Sequence, residues 1–139
     1  MGFTNAKIKV FNYGDKVLFQ RGFLAKEKIR HLTFDTLVDT GTTALVINQL
    51  IADKLGLKIQ DTTQATLADG SVVTLNIVGP VWIELMDRYS IQYATVMPAI
   101  EQPLLGVLPL EDMDLIIDPR LQQVTTNPRH KGNWVRVML

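Results

Sequence analysis

Cysteine is absent from this sequence of 139 residues, which excludes a disulfide framework, a thiolate nucleophile and a zinc–thiolate site. An excess of charge of one sign is also missing. Fourteen basic side chains balance fourteen acidic ones, so the chain offers no broad electrostatic attraction for DNA or RNA. No apolar run approaches the ~20 residues that a membrane-spanning helix needs. These absences favour a single globular domain over residues 1–139 with no nucleic-acid or membrane partner.

Several catalytic classes are poorly represented as well. His31 and His130 are the only histidines, and neither stands in a metal-ligand spacing such as HExxH, so no metal and no cofactor are predicted. The only serines, Ser71 and Ser90, lie outside any G-x-S-x-G turn, which argues against a serine hydrolase. Residues 1–7 lack the apolar stretch of a signal peptide. Together with the missing cysteines, this favours a cytoplasmic location.

The N-terminal part of the chain has the pattern of short strands. Lys7 to Tyr13 alternates between apolar and polar residues. A Gly14-Asp15 turn signal follows, and then the β-type run Val17-Leu18-Phe19. This succession predicts an N-terminal hairpin that forms an extension over residues 1–30.

Further β-type segments follow at short intervals. Asp69-Gly70 favours a tight hairpin turn within Ala65 to Val78, because glycine tolerates positive φ. Asn48 can cap a short helix that ends before Gly56, and a second short helix is expected after Gly106. The other predicted strands are His31–Val38, Val81–Leu85, Ile91–Met97 and Leu115–Ile117. Strands with so little helix predict an all-β barrel or sandwich.

The C-terminal segment, residues 127–139, ends in the apolar run Trp134-Val135-Arg136-Val137-Met138-Leu139. Chain ends usually fray unless they are docked. We therefore expect a C-terminal strand here that pairs with another strand.

One stretch carries the residues for chemistry: Leu37-Val38-Asp39-Thr40-Gly41-Thr42-Thr43. Two apolar residues lead into Asp39, and a buried carboxylate is costly unless it is paired or hydrogen-bonded. Gly41 lets the backbone turn sharply and lets another group approach closely. Thr40 and Thr42 supply hydroxyls that can bond to the main chain or across an interface. Taken alone, such an aspartate is more often an Asx turn at the end of a strand.

Two further motifs follow Asp39-Thr40-Gly41 in order. They are the hairpin tip Ala68-Asp69-Gly70-Ser71 and the apolar-apolar-Gly element Leu104-Leu105-Gly106. This ordered set resembles the retropepsin-like aspartic proteases, in particular their bacterial single-domain members, over roughly Leu37 to Pro119. The resemblance implies a closed all-β acid-protease barrel with one or two short helices that is active as a homodimer.

The resemblance also implies the roles of these residues. Asp39 is the catalytic residue, and the Ala68–Ser71 hairpin is the flap that closes over substrate. The active-site support consists of Thr40, Gly41, Thr42, Leu104, Leu105 and Gly106. At the flap tip, Asp69 fits turn chemistry better than substrate contact, because Asp-Gly suits the backbone there.

Aspartic protease chemistry needs two carboxylates close together, and this chain has one Asp-Thr-Gly. We therefore expect Asp39 of a second chain to complete the site on a two-fold axis. The resemblance implies that Thr40 hydroxyls interlock across that axis, and residues 127–139 are expected at the interface. The predicted function is an aspartic-type endopeptidase that acts on peptides or proteins. The alternatives are a non-catalytic dimeric peptide-binding or assembly module of the same fold, and a monomeric β-domain with an incidental Asp-Thr-Gly.

The sequence also contains one acidic and one basic cluster. Glu111, Asp112, Asp114 and Asp118 do not match a calcium-binding loop, and the first two are expected to face solvent. The basic residues Arg129-His130-Lys131 are interpreted as a solvated loop.

Overall fold

A computed structural model of the chain describes residues 3–136 as strands joined by short helices. The strands are β1 (Asn5–Asn12), β2 (His31–Val38), β3 (Leu45–Ile47), β4 (Ile59–Thr66), β5 (Val72–Leu85), β6 (Arg88–Val96), β7 (Leu104–Leu105), β8 (Leu115–Asp118) and β9 (Gln123–Thr126). The α-helices are α1 (Tyr13–Gln20), α2 (Gln49–Lys54) and α3 (Val107–Asp112), and short 3-10 turns span Lys26–Lys28 and Pro128–His130.

The main sheet closes on itself. Its strand order is β1-β2-β7-β3-β6-β5-β4, and β1 also pairs with β5. Six strands therefore form a ring, and β4 extends from β5 as the outer strand of a hairpin. The pairs β2–β7 and β3–β6 are parallel, whereas the other pairs of this sheet are antiparallel. The all-β barrel predicted from the sequence is confirmed. Strands β8 and β9 form a separate two-stranded sheet.

Alternation along the strands fills the barrel, because successive side chains of a strand point to opposite faces. In β1, Ala6, Ile8 and Val10 are buried while Lys7 and Lys9 are exposed. Fully buried aliphatic side chains from other elements complete the core, among them Leu45, Ile47, Leu55, Val81, Ile83 and Leu105. The ring is thus held together by a continuous apolar interior.

Both predicted helices are confirmed. Helix α2 begins after Asn48, whose side-chain oxygen accepts a hydrogen bond from the Ile51 backbone N–H at 2.9 Å. Gly56 follows the helix with a φ of +62°. Helix α3 begins directly after Gly106, as expected. The hairpin centred on Asp69-Gly70 is also confirmed.

The predicted N-terminal hairpin is wrong. Val17-Leu18-Phe19 lies in helix α1, because the Asn12 side chain caps that helix by accepting from the Asp15 N–H at 3.0 Å. The buried Asp15 carboxylate then accepts hydrogen bonds from Arg30 at three points: the backbone N–H and Nε, each at 2.9 Å, and Nη2 at 3.0 Å. This tertiary contact fixes the helix at the end of the barrel.

In the single chain Trp134–Arg136 lie outside any strand, and residues 137–139 lie outside the described residues, so the C-terminal strand expected at a dimer interface stays a prediction. Polar contacts hold this segment. Trp134 Nε1 donates to the Asp112 carbonyl at 2.9 Å, and Arg136 Nη2 donates to the Tyr89 carbonyl at 3.0 Å. These two hydrogen bonds hold Trp134 and Arg136 against the rest of the described chain.

Candidate active site

Asp39 lies at the point where strand β2 leaves the sheet. Val38, the last residue of β2, is buried, and the Asp39 N–H donates to the Leu105 carbonyl at 3.0 Å. The chain then turns, and the Thr42 N–H donates back to the Asp39 carbonyl at 3.1 Å. The half-buried Asp39 side chain is thus carried on a tight turn at the end of a core strand.

Both oxygens of the Asp39 carboxylate are held by groups of the same turn. The Gly41 N–H donates to Oδ1 at 2.9 Å, and the Thr42 hydroxyl donates to Oδ2 at 3.0 Å. A carboxylate can accept about four hydrogen bonds, so lone pairs remain on both oxygens. The arrangement fixes the orientation of the carboxylate and leaves it able to bind a water molecule or a second acid.

Strand β7 runs between the two strands that flank this turn. Leu104 and Leu105 pair in parallel with β2 and antiparallel with β3. The Leu105 side chain is fully buried. The structure therefore brings Leu104-Leu105 against the Asp39 turn, as the resemblance implies, and their role in activity stays a prediction.

The residues after Gly106 also bind the Asp39 turn, through backbone hydrogen bonds. The Val107 N–H donates to the Thr42 carbonyl at 2.8 Å, and the Leu108 N–H donates to the Thr43 carbonyl at 3.0 Å. Gly106, which precedes them, is buried against the turn. Backbone hydrogen bonds on both sides of Gly106 thus join the two motifs into one rigid unit.

The hairpin of β4 and β5 places Ala68, Asp69, Gly70 and Ser71 at an exposed tip. Asp69 Oδ1 accepts from the Ser71 hydroxyl at 2.6 Å and from the Ser71 N–H at 2.9 Å. These two hydrogen bonds, the side-chain one first, lower the pKa of the Asp69 carboxyl. Gly70 has a φ of +86°, which favours glycine. Asp69 therefore stabilises the turn, and contact with substrate remains a prediction.

Apolar side chains on this hairpin are unusually exposed. Ile59 at its base is 62% exposed and Val72 beside its tip is 60% exposed. The hairpin is also irregular at its base, where the register of β4 against β5 shifts between Ile59 and Asp61. Such a hairpin offers an apolar surface that a bound chain could cover.

A buried acid–histidine pair lies elsewhere in the molecule and was not found from the sequence. Asp114 is buried, and its Oδ2 lies 2.5 Å from His130 Nδ1. Burial raises the pKa of the Asp114 carboxyl, but hydrogen bonds from His130, the Val135 N–H and Asn127 outweigh it, so the net shift is downward. Because it contacts Asp114, the His130 side chain is only partly exposed, whereas the sequence predicted a solvated loop here. The pair holds the C-terminal segment in place through the Val135 N–H. Among the described residues, no nucleophilic side chain is hydrogen-bonded to this pair.

Other candidate groups stay apart. His31 is exposed, and its Nδ1 lies 3.1 Å from the Ile29 carbonyl oxygen. Within residues 3–136, no three or more His, Asp or Glu side chains are grouped in a way that could hold a metal ion. In the same residues, no helix has the length and apolar character to cross a bilayer.

The ring-like sheet and the Asp39 turn buttressed by β7 define the retropepsin-like fold. The family model described as aspartyl protease matches residues 26–108, more than half of the chain. The chain therefore belongs to the aspartyl protease family. No curated protein matches the sequence significantly. The matched region contains all three motifs on which the resemblance rests, so the predicted membership of this family is confirmed.

Proposed function

We propose that the protein is an aspartic-type endopeptidase whose two catalytic carboxylates are the Asp39 side chains of two chains in a homodimer. The observation that carries the proposal is the Asp39 carboxylate, held on Oδ1 by Gly41 and on Oδ2 by Thr42 in the Asp-Thr-Gly turn of the family. Positioned carboxylates of this kind act as general acids and bases.

The need for a second chain follows from the chemistry. Two carboxylates at close range cannot both ionise easily, so they share one proton. The ionised member takes a proton from a bound water, whose oxygen attacks the carbonyl carbon of the peptide. The protonated member donates its proton to the carbonyl oxygen, giving a tetrahedral diol. Transfer of a proton to the nitrogen then breaks the C–N bond and releases an amine and a carboxylic acid. One chain supplies one Asp39.

The sheet of β8 and β9 supports a dimer. This hairpin is paired with no other strand of the described residues, and its inner face packs on the core through Leu115, Ile117 and Val124, which leaves its outer face open. Ile116 is 38% exposed and Leu121 is 65% exposed on it. We place the interface on this hairpin, with Thr40, which is exposed in the single chain, meeting its counterpart on the axis.

The hairpin of β4 and β5 would cover a bound peptide. Its apolar residues Ile59 and Val72 are available for such a contact. Closing a hairpin over substrate excludes bulk water, keeps the attacking water between the carboxylates and the peptide, and completes the site. The substrate class is therefore a peptide or an unstructured segment of a protein. A cytoplasmic location belongs to the same proposal and rests on the lack of cysteine.

The test is digestion of a peptide library, followed by mass spectrometry, with wild type, Asp39→Asn and Asp35→Asn. Asp35 is a matched control, because it is an exposed acid on the same strand, β2. We expect cleavage by wild type and Asp35→Asn and none by Asp39→Asn. Cleavage that persists in Asp39→Asn would assign the reaction to another residue. A folded dimer that binds peptides without cutting them would establish the non-catalytic module instead.

A further inference from the structure

A cavity lies at the opposite end of strand β2 from Asp39. Its volume is about 370 Å³, within the range of small-molecule sites. It is formed by β1, the start of β2, helix α1 and the turn Lys26–Lys28. His31 lines it, and the eight residues of β2 separate His31 from Asp39 by roughly 26 Å at about 3.3 Å per residue. The cavity is thus distinct from the candidate active site.

The cavity has a basic lining. Its residues are Lys9, Phe11, Lys16, Phe19, Gln20, Lys26, Ile29 and His31. All of them are described in the structure, and none is acidic. In a chain of zero formal net charge, such a segregated group of three lysines and a histidine marks a local excess of positive charge.

No lysine of the cavity forms an ion pair within the described part of the chain. The ion pairs found there join Arg30 to Asp15 and His130 to Asp114, and neither involves a lysine. Two acids stand beside lining residues: Glu84 lies opposite Lys9 on the sheet, and Glu27 follows Lys26 in the turn Lys26–Lys28.

The Glu84 carboxylate accepts a hydrogen bond from Trp82 Nε1 at 2.9 Å and keeps its negative charge, so it offsets at most one of the three lysine charges. Lys9 and Lys16 lie 5.0 and 4.2 Å from the centroid of the Phe11 ring, so their ammonium groups are within about 9 Å of each other. Their repulsion is only partly screened, because this upper limit is close to the screening length of about 8 Å in physiological salt. A bound anion would relieve this repulsion.

Aromatic rings hold two of these ammonium groups in place. Lys16 Nζ lies over two rings, 4.2 Å from the centroid of Phe11 and 4.3 Å from that of Trp82. The rings of Phe11 and His31 are 5.4 Å apart and tilted by 35°. Phe19 from helix α1 is 40% exposed at the same place. Because the lysines cover the Phe11 ring, the open apolar walls are Phe19 and Ile29. Apolar walls beside ammonium groups suit a ligand that is planar and apolar at one end and anionic at the other.

We propose that this cavity binds a small organic anion that carries a planar apolar group. The anionic end is held by Lys9, Lys16 and Lys26, and the planar end packs on Phe19 and Ile29. Five of the eight lining residues precede residue 26, where the match to the aspartyl protease family begins. The site is therefore built largely by a part of the chain that the family match does not cover.

The proposal is tested by titrating ¹⁵N-labelled protein with 2-naphthoate and following backbone amide shifts by NMR. The neutral 2-naphthamide and inorganic phosphate serve as companion probes for the apolar and the anionic part alone. We expect saturable shifts at residues lining the cavity, a Kd below about 1 mM, and binding at least about tenfold weaker for naphthamide and phosphate. The same titration on Asp39→Asn is expected to give the same Kd, so the result is independent of peptidase activity.

The matched variants are a double change inside the cavity and one outside it. Lys9→Gln with Lys16→Gln removes two cavity charges, whereas Lys7→Gln with Lys28→Gln removes two exposed charges of β1 and of the turn Lys26–Lys28 that do not line the cavity. We expect binding to weaken at least about tenfold in the first and by less than about twofold in the second, with equal thermal stability. No saturable shift up to about 10 mM, equal losses in the two doubles, or equal binding of naphthoate and naphthamide would overturn the proposal.

Discussion

The backbone of Gly106 lies directly against the carbonyl oxygen of Ala44: a Cβ atom at position 106 would stand 2.4 Å from it. The same atom would stand 2.6 Å from the Thr42 carbonyl oxygen. Gly106 has a φ of −86°, which any residue adopts. Close packing against the Asp39 turn, and not backbone conformation, therefore requires glycine here.

Gly106→Ala is expected to lose peptide cleavage and about 1–3 kcal/mol of the free energy of unfolding, because the clash falls on backbone atoms that cannot rotate away. The measurements are urea unfolding and a peptidase assay. Gly22→Ala is the control. Gly22 has a φ of +83° with open space around it, so alanine there costs about 1 kcal/mol and leaves activity intact. Equal activity of the two variants would contradict the role given to this contact.

Thr42→Val keeps the shape of the side chain and removes the hydroxyl that donates to Asp39 Oδ2. A hydrogen bond to a charged group is worth about 1.5–3 kcal/mol, so kcat is expected to fall about 10–100-fold. We expect little change in KM, because the hydroxyl faces the carboxylate. Thr43→Val, at the exposed neighbour, is the control and should keep kcat within about twofold of wild type. An unchanged kcat in Thr42→Val would show that this hydrogen bond does not orient the carboxylate.

The ion pair of Asp15 and Arg30 predicts a loss of stability in acid. The side-chain hydrogen bond from Arg30 is the main cause that lowers the pKa of the Asp15 carboxyl from its ordinary value of 3.8, against the opposing effect of burial. A lowered pKa in the folded state stabilises the fold above the ordinary value, and this contribution is lost as the pH falls through the lowered pKa. Stability should therefore decline below about pH 4.

Asp15→Asn removes this contribution. We expect it to cost about 1–3 kcal/mol at pH 7 and to make the free energy of unfolding less dependent on pH below about 4. Urea unfolding at a series of pH values measures both effects. Asp87→Asn, an exposed acid in a turn, should change stability by less than about 0.5 kcal/mol. Parallel pH profiles for Asp15→Asn and wild type would rule out the ion pair as the source.

The parts of the fold that could be predicted from the sequence depend on local signals. Asn48 caps the helix that its spacing from Gly56 indicates, and Asp69-Gly70 forms the turn that its residue types favour. The closure of the barrel and the position of Leu104-Leu105 beside Asp39 followed from the resemblance. The residue types of Leu104-Leu105-Gly106 do not by themselves predict that this segment pairs with both β2 and β3.

The errors fall where a tertiary contact overrides a local pattern. Val17-Leu18-Phe19 has the composition of a strand, but Asn12 caps a helix there and Asp15 binds Arg30, fifteen residues away. The spacing of Asn12 and Asp15 was an available signal for a helix start. Asp114 and His130 gave no such signal, because each reads as a solvated charge until the chain folds and buries the pair.

The most direct test of the shared active site is to mix wild-type subunits with Asp39→Asn subunits and to follow cleavage per wild-type subunit after exchange. If each site takes Asp39 from two chains, mixed dimers are inactive. Specific activity then falls to about one half with an equal amount of the variant and to about one tenth with a ninefold excess. Activity that stays constant across the series would contradict the account, since it would show that a single chain carries a complete site.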